Sequence, residues 1–182
     1  MAPTPAATPK RNAISRPGCQ SEPRAAVTVR PIEPGDVEGI LAMHGRLSAD
    51  SLRRRYLGAS APGREEISRI SHLNPGQGQA FVALSPGPDA EIVGLAYYLV
   101  DRKQPDAAEP ALLVEDDYQG LCIGTYMMVL MRRRAASQGI HRFDALVESG
   151  NSPMLRLLLH SGELLQSLVA YGAHELSISL AA

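Results

Sequence analysis

The chain has 182 residues, 45% of them hydrophobic, with no Trp and two Phe, so it can form one domain whose core depends on aliphatic side chains and Met. Its net charge is −1, and residues 27–182 carry 14 basic and 18 acidic side chains, a balance that argues against binding to nucleic acid or to a membrane surface. The sequence contains no run of about 18 apolar residues, so no membrane-spanning helix is expected.

Residues 1–26 are rich in Ala, Pro, Thr and Ser and carry four basic side chains and one acidic side chain. We predict a disordered tail or an overlong N-terminal extension, with an organelle transit peptide as the alternative; the missing apolar segment argues against a secretory signal. The two cysteines are Cys19 in this tail and Cys122 in the domain, so no structural disulfide is expected. This usage is typical of a reducing cytoplasm, which is the predicted location.

The first half of the domain is predicted to contain one strand, two or three helices and three further strands. The strand is the alternating segment 27–31, and the turn after it ends in Asp36, a residue typical of helix N-caps. Apolar residues at helical spacing predict helices from Val37 onward, over 48–57 and over 64–73. After the breaker Asn74-Pro-Gly-Gln-Gly78, strand-like runs follow at 79–84, 92–100 and 109–115.

The second half alternates between helices and strands. The predicted elements are a helix over 123–138 that Gly139 ends, a strand over 143–148, a helix from Ser152-Pro153 to about Ser161, and strands at about 164–171 and 174–180. Met127, Met128 and Met131 are expected in the core. The order favours one α/β (α+β) domain, residues 27–182, in which helices flank a mixed sheet.

The most informative segment is Val114-Glu-Asp-Asp-Tyr-Gln-Gly-Leu-Cys-Ile-Gly-Thr125, which joins a predicted strand to a predicted helix. The first turn of a helix has unpaired N–H groups and the positive end of the helix dipole, so this junction suits a pyrophosphate. A Walker A loop and a Gly-x-Gly-x-x-Gly motif are both absent from the chain. Taken alone, a loop with two glycines is more often a simple turn.

Together with the order of elements, Gln119-Gly-Leu-Cys122-Ile-Gly124 resembles the signature of the GCN5-related N-acetyltransferases (GNAT). That signature is Gln or Arg, two residues, Gly, any residue, then Gly or Ala, at a strand-to-helix junction. The likeness covers about residues 27–180 and implies a mostly antiparallel sheet with one splayed parallel strand pair. Three segments resemble the bacterial protein-lysine acetyltransferase branch: residues 29–36, residues 47–52 with Arg55-Tyr56, and residues 108–120.

The resemblance implies acetyl-CoA as co-substrate, bound in the cleft between the splayed strands. Backbone groups of the strand before the loop would bind the pantetheine amides, and backbone N–H groups of the loop would surround the pyrophosphate. An Asn that opens the next helix would contact the pantetheine arm. The residues implied in this way are Leu112, Leu113, Val114, Gln119, Gly120, Leu121, Cys122, Ile123, Gly124, Thr125 and Asn151.

Cys122 departs from the family pattern, which usually has Gly at this position. Glycine lets the backbone approach a phosphate closely, whereas Cys would be tolerated if it faced the core with an ordinary helical φ. Otherwise, Cys would weaken acyl-CoA binding. A thiol at a helix N-terminus is prone to oxidation, but no Cys–His pair is evident, so a redox or nucleophilic role is the lesser alternative.

Acyl transfer requires an unprotonated amine, and a lysine with a pKa of about 10.4 is almost wholly cationic at neutral pH. The resemblance implies an acidic general base on the strand that leads to the loop, which makes Glu109 the catalytic candidate. Strand alternation places Glu109 on the same face as Ala111 and Leu113, unless a bulge intervenes, and partial burial is expected for it. The alternative is a solvated carboxylate at the end of a strand.

Other acidic residues rank lower as catalytic candidates. Glu148 is the second choice of base, and Glu115, Asp116 and Asp117 are expected to be solvated charges. Leu158 stands where the family often has a general-acid Tyr, so solvent would protonate the leaving thiolate. The five His residues show no metal-ligand spacing, and no metal is expected.

The sequence therefore predicts an acetyl-CoA-dependent N-acetyltransferase that acts on a primary amine by direct transfer in a ternary complex. A protein lysine is favoured as the acceptor by the resemblance to the protein-lysine branch, with a small amine or amino acid as the alternative. A non-catalytic acyl-CoA-binding regulatory module is the competing class of function, motivated by Cys122 and Leu158. Neither nucleic acid nor membrane is expected as a partner.

Overall fold

The computed structural model describes residues 26–180, which form one seven-stranded sheet and five α-helices. In chain order the elements are β1 (Thr28–Pro31), α1 (Val37–Arg46), α2 (Ala49–Tyr56), α3 (Arg64–Ser71), β2 (Gly78–Leu84), β3 (Ile92–Val100), β4 (Ala107–Val114), α4 (Ile123–Ser137), β5 (Arg142–Glu148), α5 (Ser152–Ser161), β6 (Glu163–Ala170) and β7 (Ala173–Ser179). The predicted order of elements is confirmed. The predicted tail, apart from Ala26, lies outside the described residues and stays a prediction.

The sheet has the order β1-β2-β3-β4-β5-β7-β6, and every neighbouring pair is antiparallel except β4 and β5. β4 and β5 run parallel and pair only where Ala107 meets Arg142 and Ala108 meets Phe143. β4 meanwhile keeps its register with β3 as far as Val114, and β5 keeps its register with β7 as far as Glu148. The mixed sheet with a splayed parallel pair is therefore confirmed.

Helices cover both faces of the sheet because successive side chains of each strand point in opposite directions. α1 and α3 pack on one face against residues that include Val82, Leu95 and Leu113. α4 and α5 pack on the other face in a second cluster, which holds Phe143 and the three predicted core methionines Met127, Met128 and Met131. No helix within residues 26–180 is long and apolar enough to cross a membrane.

A buried hydrogen-bonded pair fixes α2 to α1. The Tyr56 hydroxyl and His44 Nε2 lie 2.6 Å apart, and His44 Nδ1 lies 2.8 Å from the carbonyl oxygen of Ile40. Because a carbonyl can only accept, Nδ1–H is the donor there, and in the neutral ring Nε2 then accepts from Tyr56. Burial raises the pKa of Tyr56 to about 12, so the phenol remains a donor at neutral pH. This pair anchors the end of the helix that crosses the functional site.

The same pair predicts a pH-dependent loss of stability. Burial, aided by the charge of Arg55 and opposed by the Ile40 bond, lowers the pKa of His44 below its ordinary 6.5. Below about pH 6.5 the unfolded chain therefore gains a proton that the folded chain does not, and the free energy of unfolding falls as the pH falls. We expect the midpoint of thermal unfolding to drop more between about pH 6.5 and 5 in the wild type than in His44→Gln, as followed by circular dichroism. Parallel pH profiles for the two proteins would contradict this prediction.

Candidate acyl-CoA site

A cleft opens where β4 and β5 separate beyond Ala108 and Phe143. It encloses about 330 Å³ of empty space, part of it open to solvent. Its walls come from β4, β5, the start of α5 and the α2 arginines, and they include Ala111, Leu112, Ala145, Val147, Asn151, Met154, Arg54 and Arg55. The two strands thus part to form a groove with a floor of backbone and small apolar side chains.

The hydrogen-bond register shows which backbone groups of β4 face this cleft. The N–H of Glu115 donates to the carbonyl of Val93, so residues 113, 111 and 109 also direct their N–H and C=O groups toward β3. The intervening residues, Leu112 and Val114, direct theirs toward the β5 side, where β5 has already moved away. The carbonyl of Val114 accepts a hydrogen bond of 3.1 Å from the Gln119 side chain. The backbone of Leu112 is therefore more available to a ligand than that of Val114.

At the end of β4 the chain makes a 3-10 turn over Asp116–Tyr118 and then enters α4. The first intrahelical bond of α4 runs from the N–H of Tyr126 to the carbonyl of Cys122, at 3.0 Å. The N–H groups of Ile123, Gly124 and Thr125 therefore precede the helical ladder and remain available to an anion. A Cβ on Gly124 would stand 3.3 Å from Leu112, so the glycine lets the start of α4 lie close against β4.

Cys122 adopts the left-handed conformation, with φ 65° and ψ 5°. The ordinary helical φ considered for this residue is therefore wrong, although the side chain is buried as that interpretation required. A residue with a Cβ loses about 1–2 kcal/mol in this conformation relative to the right-handed one, and glycine avoids the loss. The loop thus keeps the backbone shape that glycine would give while carrying a strained side chain.

The sulfur of Cys122 is disulfide-bonded in this structure, against the expectation of reduced cysteines. Cys19 lies outside the described residues. The buried position of Cys122 at the N-cap of α4 places its sulfur behind the loop rather than on an open surface.

Two acidic residues next to the loop, Glu115 and Asp116, have specific partners that the sequence does not predict, although Asp116 is exposed as expected. Glu115 forms a bidentate pair with Arg46, with both N–O distances 3.0 Å. Asp116 accepts hydrogen bonds from the Ser48 N–H at 2.9 Å, the Ser48 hydroxyl at 2.9 Å and the Ser51 hydroxyl at 2.7 Å. Burial works against ionisation of Asp116, but these bonds outweigh it and hold the pKa of the carboxyl below its usual value.

α2 bridges the two sides of the cleft, a role that sequence reasoning missed. Arg53 pairs with Glu148 at the end of β5, and Arg55 donates to the Tyr97 hydroxyl on β3 at 2.7 Å. Buried Nε of Arg54 and buried Oε2 of Glu148 have no hydrogen-bond partner within residues 26–180. Unpaired buried polar atoms on both sides of a cleft are typical of a site that binds a polar ligand. The segment 47–56 carried a family resemblance but no chemical motif that could have revealed this bridge.

Glu109 lies directly beyond the last β4–β5 pairing, at the closed end of the cleft. The β3–β4 register is continuous, so no bulge intervenes, and Glu109 faces the same side of the sheet as Ala111 and Leu113. It is opposite Leu99, and its side chain is exposed. The partial burial expected for Glu109 is therefore absent.

Asn151 is the N-cap of α5, and its Oδ1 accepts from the N–H of Met154 at 3.2 Å. This bond uses only the amide oxygen, so the NH₂ group of Asn151 can donate to a ligand. Asn151 also lines the cleft. Leu158, about two turns further along α5, is fully buried in the core. The residues predicted on β4 and α5, Leu112 and Asn151, thus meet at one cleft. The glycine loop, residues 119–125, lies beyond the walls of this cleft, with Gly124 against Leu112 and Gly120 at a φ of 75°. The described residues contain no cluster of His, Cys, Asp or Glu that could hold a metal ion.

Comparison with known proteins gives a consistent result. The sequence profile of the family described as "Acetyltransferase (GNAT) family" matches residues 50–162. A curated relative, "Acetyltransferase Pat" of Mycolicibacterium smegmatis, is 28% identical over 130 residues, which are 71% of this chain and 39% of the relative. The chain therefore spans about two fifths of the length of that relative.

Solved structures share the fold. The GNAT domain of S. lividans PAT superposes with a TM-score of 0.72 at 21% identity, over 84% of this chain and 90% of that domain. YncA of Salmonella typhimurium, solved with acetyl-CoA, superposes with a TM-score of 0.67 at 16% identity, over 87% of this chain and 96% of that one. At these identities the likeness establishes the fold alone.

The strain at Cys122 leads to a stability prediction. In reducing buffer, Cys122→Gly should raise the free energy of unfolding by about 0.5–1 kcal/mol, because the relief of the left-handed conformation exceeds the added entropy of glycine in the unfolded chain. Cys122→Ala is the matched control, since it removes the sulfur and keeps the strained backbone. Urea unfolding of all three proteins measures the difference. Equal stability of the Gly and Ala variants would show that φ at this position carries no strain.

Proposed function

The chain belongs to the GNAT acetyltransferase family, and we propose that it transfers an acetyl group from acetyl-CoA directly to a primary amine within a ternary complex. The observation that carries this proposal is the parting of β4 and β5 in front of the N-terminus of α4. The opened strand edge supplies backbone donors and acceptors for an extended amide chain, and the helix start supplies N–H groups for a pyrophosphate.

In the proposed complex the pantetheine arm lies along β4, with the backbone of Leu112 and the amide of Asn151 as its polar partners. The pyrophosphate lies against residues 120–125. Because Gln119 binds Val114 and Ser51, its side chain contributes by shaping the loop. Leu113 contributes through its packing, since its backbone faces β3. This arrangement directs the thioester toward the closed end of the cleft, where Glu109 lies.

The proposed reaction is nucleophilic addition of the neutral amine to the thioester carbon, followed by loss of the CoA thiolate. A new C–N bond forms, the C–S bond breaks, and one proton leaves the amine. Glu109 accepts that proton directly or through one water molecule, and solvent returns a proton to the thiolate, because Leu158 offers no acidic group. The backbone N–H of Leu112 would polarise the thioester carbonyl.

We propose a protein lysine as the acceptor; the disulfide at Cys122 removes the cysteine-based argument for a cytoplasmic location. The exposure of Glu109 supports a bulky acceptor, because a lysine on a folded surface can reach only a carboxylate that is open to solvent. The resemblance to the protein-lysine branch supports the same choice; it covers residues 29–36, residues 47–52 with Arg55-Tyr56, and residues 108–120. A small amine is the alternative acceptor, and a module that binds acyl-CoA without turnover is the competing function.

The role of Glu109 can be tested by substitution with its isosteric amide. We expect Glu109→Gln to lower kcat by about 10²–10⁴-fold near neutral pH and to leave the calorimetric Kd for acetyl-CoA unchanged. Because the amine loses its own proton at high pH, the deficit should shrink as the pH rises. Glu175→Gln, an exposed strand glutamate on β7, is the matched control and should retain wild-type rates. Full activity of Glu109→Gln across the pH range would exclude Glu109 as the base.

The class of acceptor is tested by product detection. Incubation with acetyl-CoA should add about 42 Da to a lysine of a folded test protein, because one acetyl group replaces one amine proton. Free polyamines and amino acids should remain largely unmodified. Prior reductive methylation of the lysines should abolish the mass shift. Preferential acetylation of free amines would select the small-amine alternative. Binding of acetyl-CoA without thiol release for any amine would instead support the non-catalytic module.

A further inference from the structure

The last strand of the sheet, β6, has an uncovered outer edge. Within residues 26–180 it pairs only with β7, and it stands at the end of the strand order. Its side chains are exposed along nearly the whole length of the strand. A strand in this position presents a row of backbone N–H and C=O groups to solvent.

β6 lacks the usual features that prevent edge strands from pairing. It has no Lys, Arg or Pro, and Glu163 at its first position is its only charged residue. Leu164, Leu165, Leu168 and Val169 are between 44% and 60% exposed, and Tyr171 in the following turn is fully exposed. In the cross-strand row of Leu168 the exposed Glu175 of β7 comes next, so the apolar surface is confined to β6 and the turn after it. Exposed apolar side chains on both faces of an open edge strand mark an interaction surface.

We propose that β6 pairs antiparallel with β6 of a second copy of this chain, across a two-fold axis at Leu168. The register shift between Leu164 and Gln166 leaves residues 166–170 as the regular part of the strand. An axis at Leu168 pairs this part completely: Leu168 with Leu168, Ser167 with Val169 and Gln166 with Ala170 of the other copy. The hydrogen-bonding groups of the edge and its apolar side chains are then satisfied together.

The charge distribution selects this partner and this direction. In the antiparallel dimer the two Glu163 carboxylates lie ten residues apart along the strand, or about 33 Å, well beyond the screening length at physiological salt. A parallel arrangement would place them side by side. The opposite edge of the sheet, β1, has four residues and ends in Pro31, which lacks an N–H, so head-to-tail pairing of β6 with β1 is disfavoured.

The dimer leaves the acyl-CoA cleft open. β7 lies between β6 and β5, so the β6 edge is about 10 Å from β5, on the side away from β4. The proposal is therefore independent of the acetyl-transfer function, and either one can fail without the other. Activity measured on monomer and dimer reports on the function, whereas the mass in solution reports on the interface.

The first test is the mass of the full chain by light scattering after size-exclusion chromatography. We expect the wild type to elute with twice the mass of one chain and Leu168→Lys to elute with the mass of one chain, because two lysines would face each other at the axis. Leu57→Lys is the matched control: it makes the same change at a 44% exposed leucine at the end of α2 and should remain dimeric. A wild type of single-chain mass at high micromolar concentration would overturn the proposal, as would a dimer that persists in Leu168→Lys.

A second test fixes the register and does not depend on a destabilising charge. In a background of Cys19→Ser and Cys122→Gly, oxidation should cross-link Leu168→Cys into a covalent dimer, because opposed residues of paired strands lie within disulfide distance. Gln166→Cys should not cross-link, since Ala170 of the other copy stands opposite it. Cross-linking of both variants alike, or of neither, would contradict the proposed axis.

Discussion

The site depends on one constraint, the separation of β4 and β5 after two paired residues. β4 is held in place by β3 along its whole length, and β5 is held in the same way by β7, so neither strand is free to close the gap. A parallel ladder that stops at Ala108 leaves the cleft-side backbone of Leu112 and Val114 without a strand partner. Backbone groups that lose a strand partner need other partners, and the amides of the proposed acyl-CoA ligand would supply them.

α2 completes the cleft by connecting elements that the sheet has separated. Arg53 reaches β5 through Glu148, Arg55 reaches β3 through Tyr97, and the hydroxyls of Ser48 and Ser51 reach Asp116 on the loop. Exposed ion pairs contribute little stability on their own, about 0–1 kcal/mol each. Their value here is geometric, because together they fix the position of a short helix that places no fully buried residue in either core.

The sequence predicted the fold well because the order and periodicity of the elements are local properties. It also predicted that Leu112 of β4 and Asn151 would lie at one cleft, since the family resemblance carries that arrangement. Three features were beyond it. Cys122 has a left-handed φ, Glu109 is exposed although it lies within a strand, and the partners of Asp116 are 65 and 68 residues away in the chain. Local pattern carries no information about such distant contacts.

The electrostatics of the loop resolve an apparent conflict between an acidic approach and an anionic ligand. Glu115, Asp116 and Asp117 precede the helix start, and three free carboxylates there would repel a pyrophosphate. Arg46 neutralises Glu115 in a bidentate pair, and Asp116 is turned toward the hydroxyls of α2. Asp117 is exposed to solvent, which screens it, so the field at the start of α4 is governed by the helix dipole and its N–H groups. The same contacts that position α2 therefore also make the loop suitable for an anion.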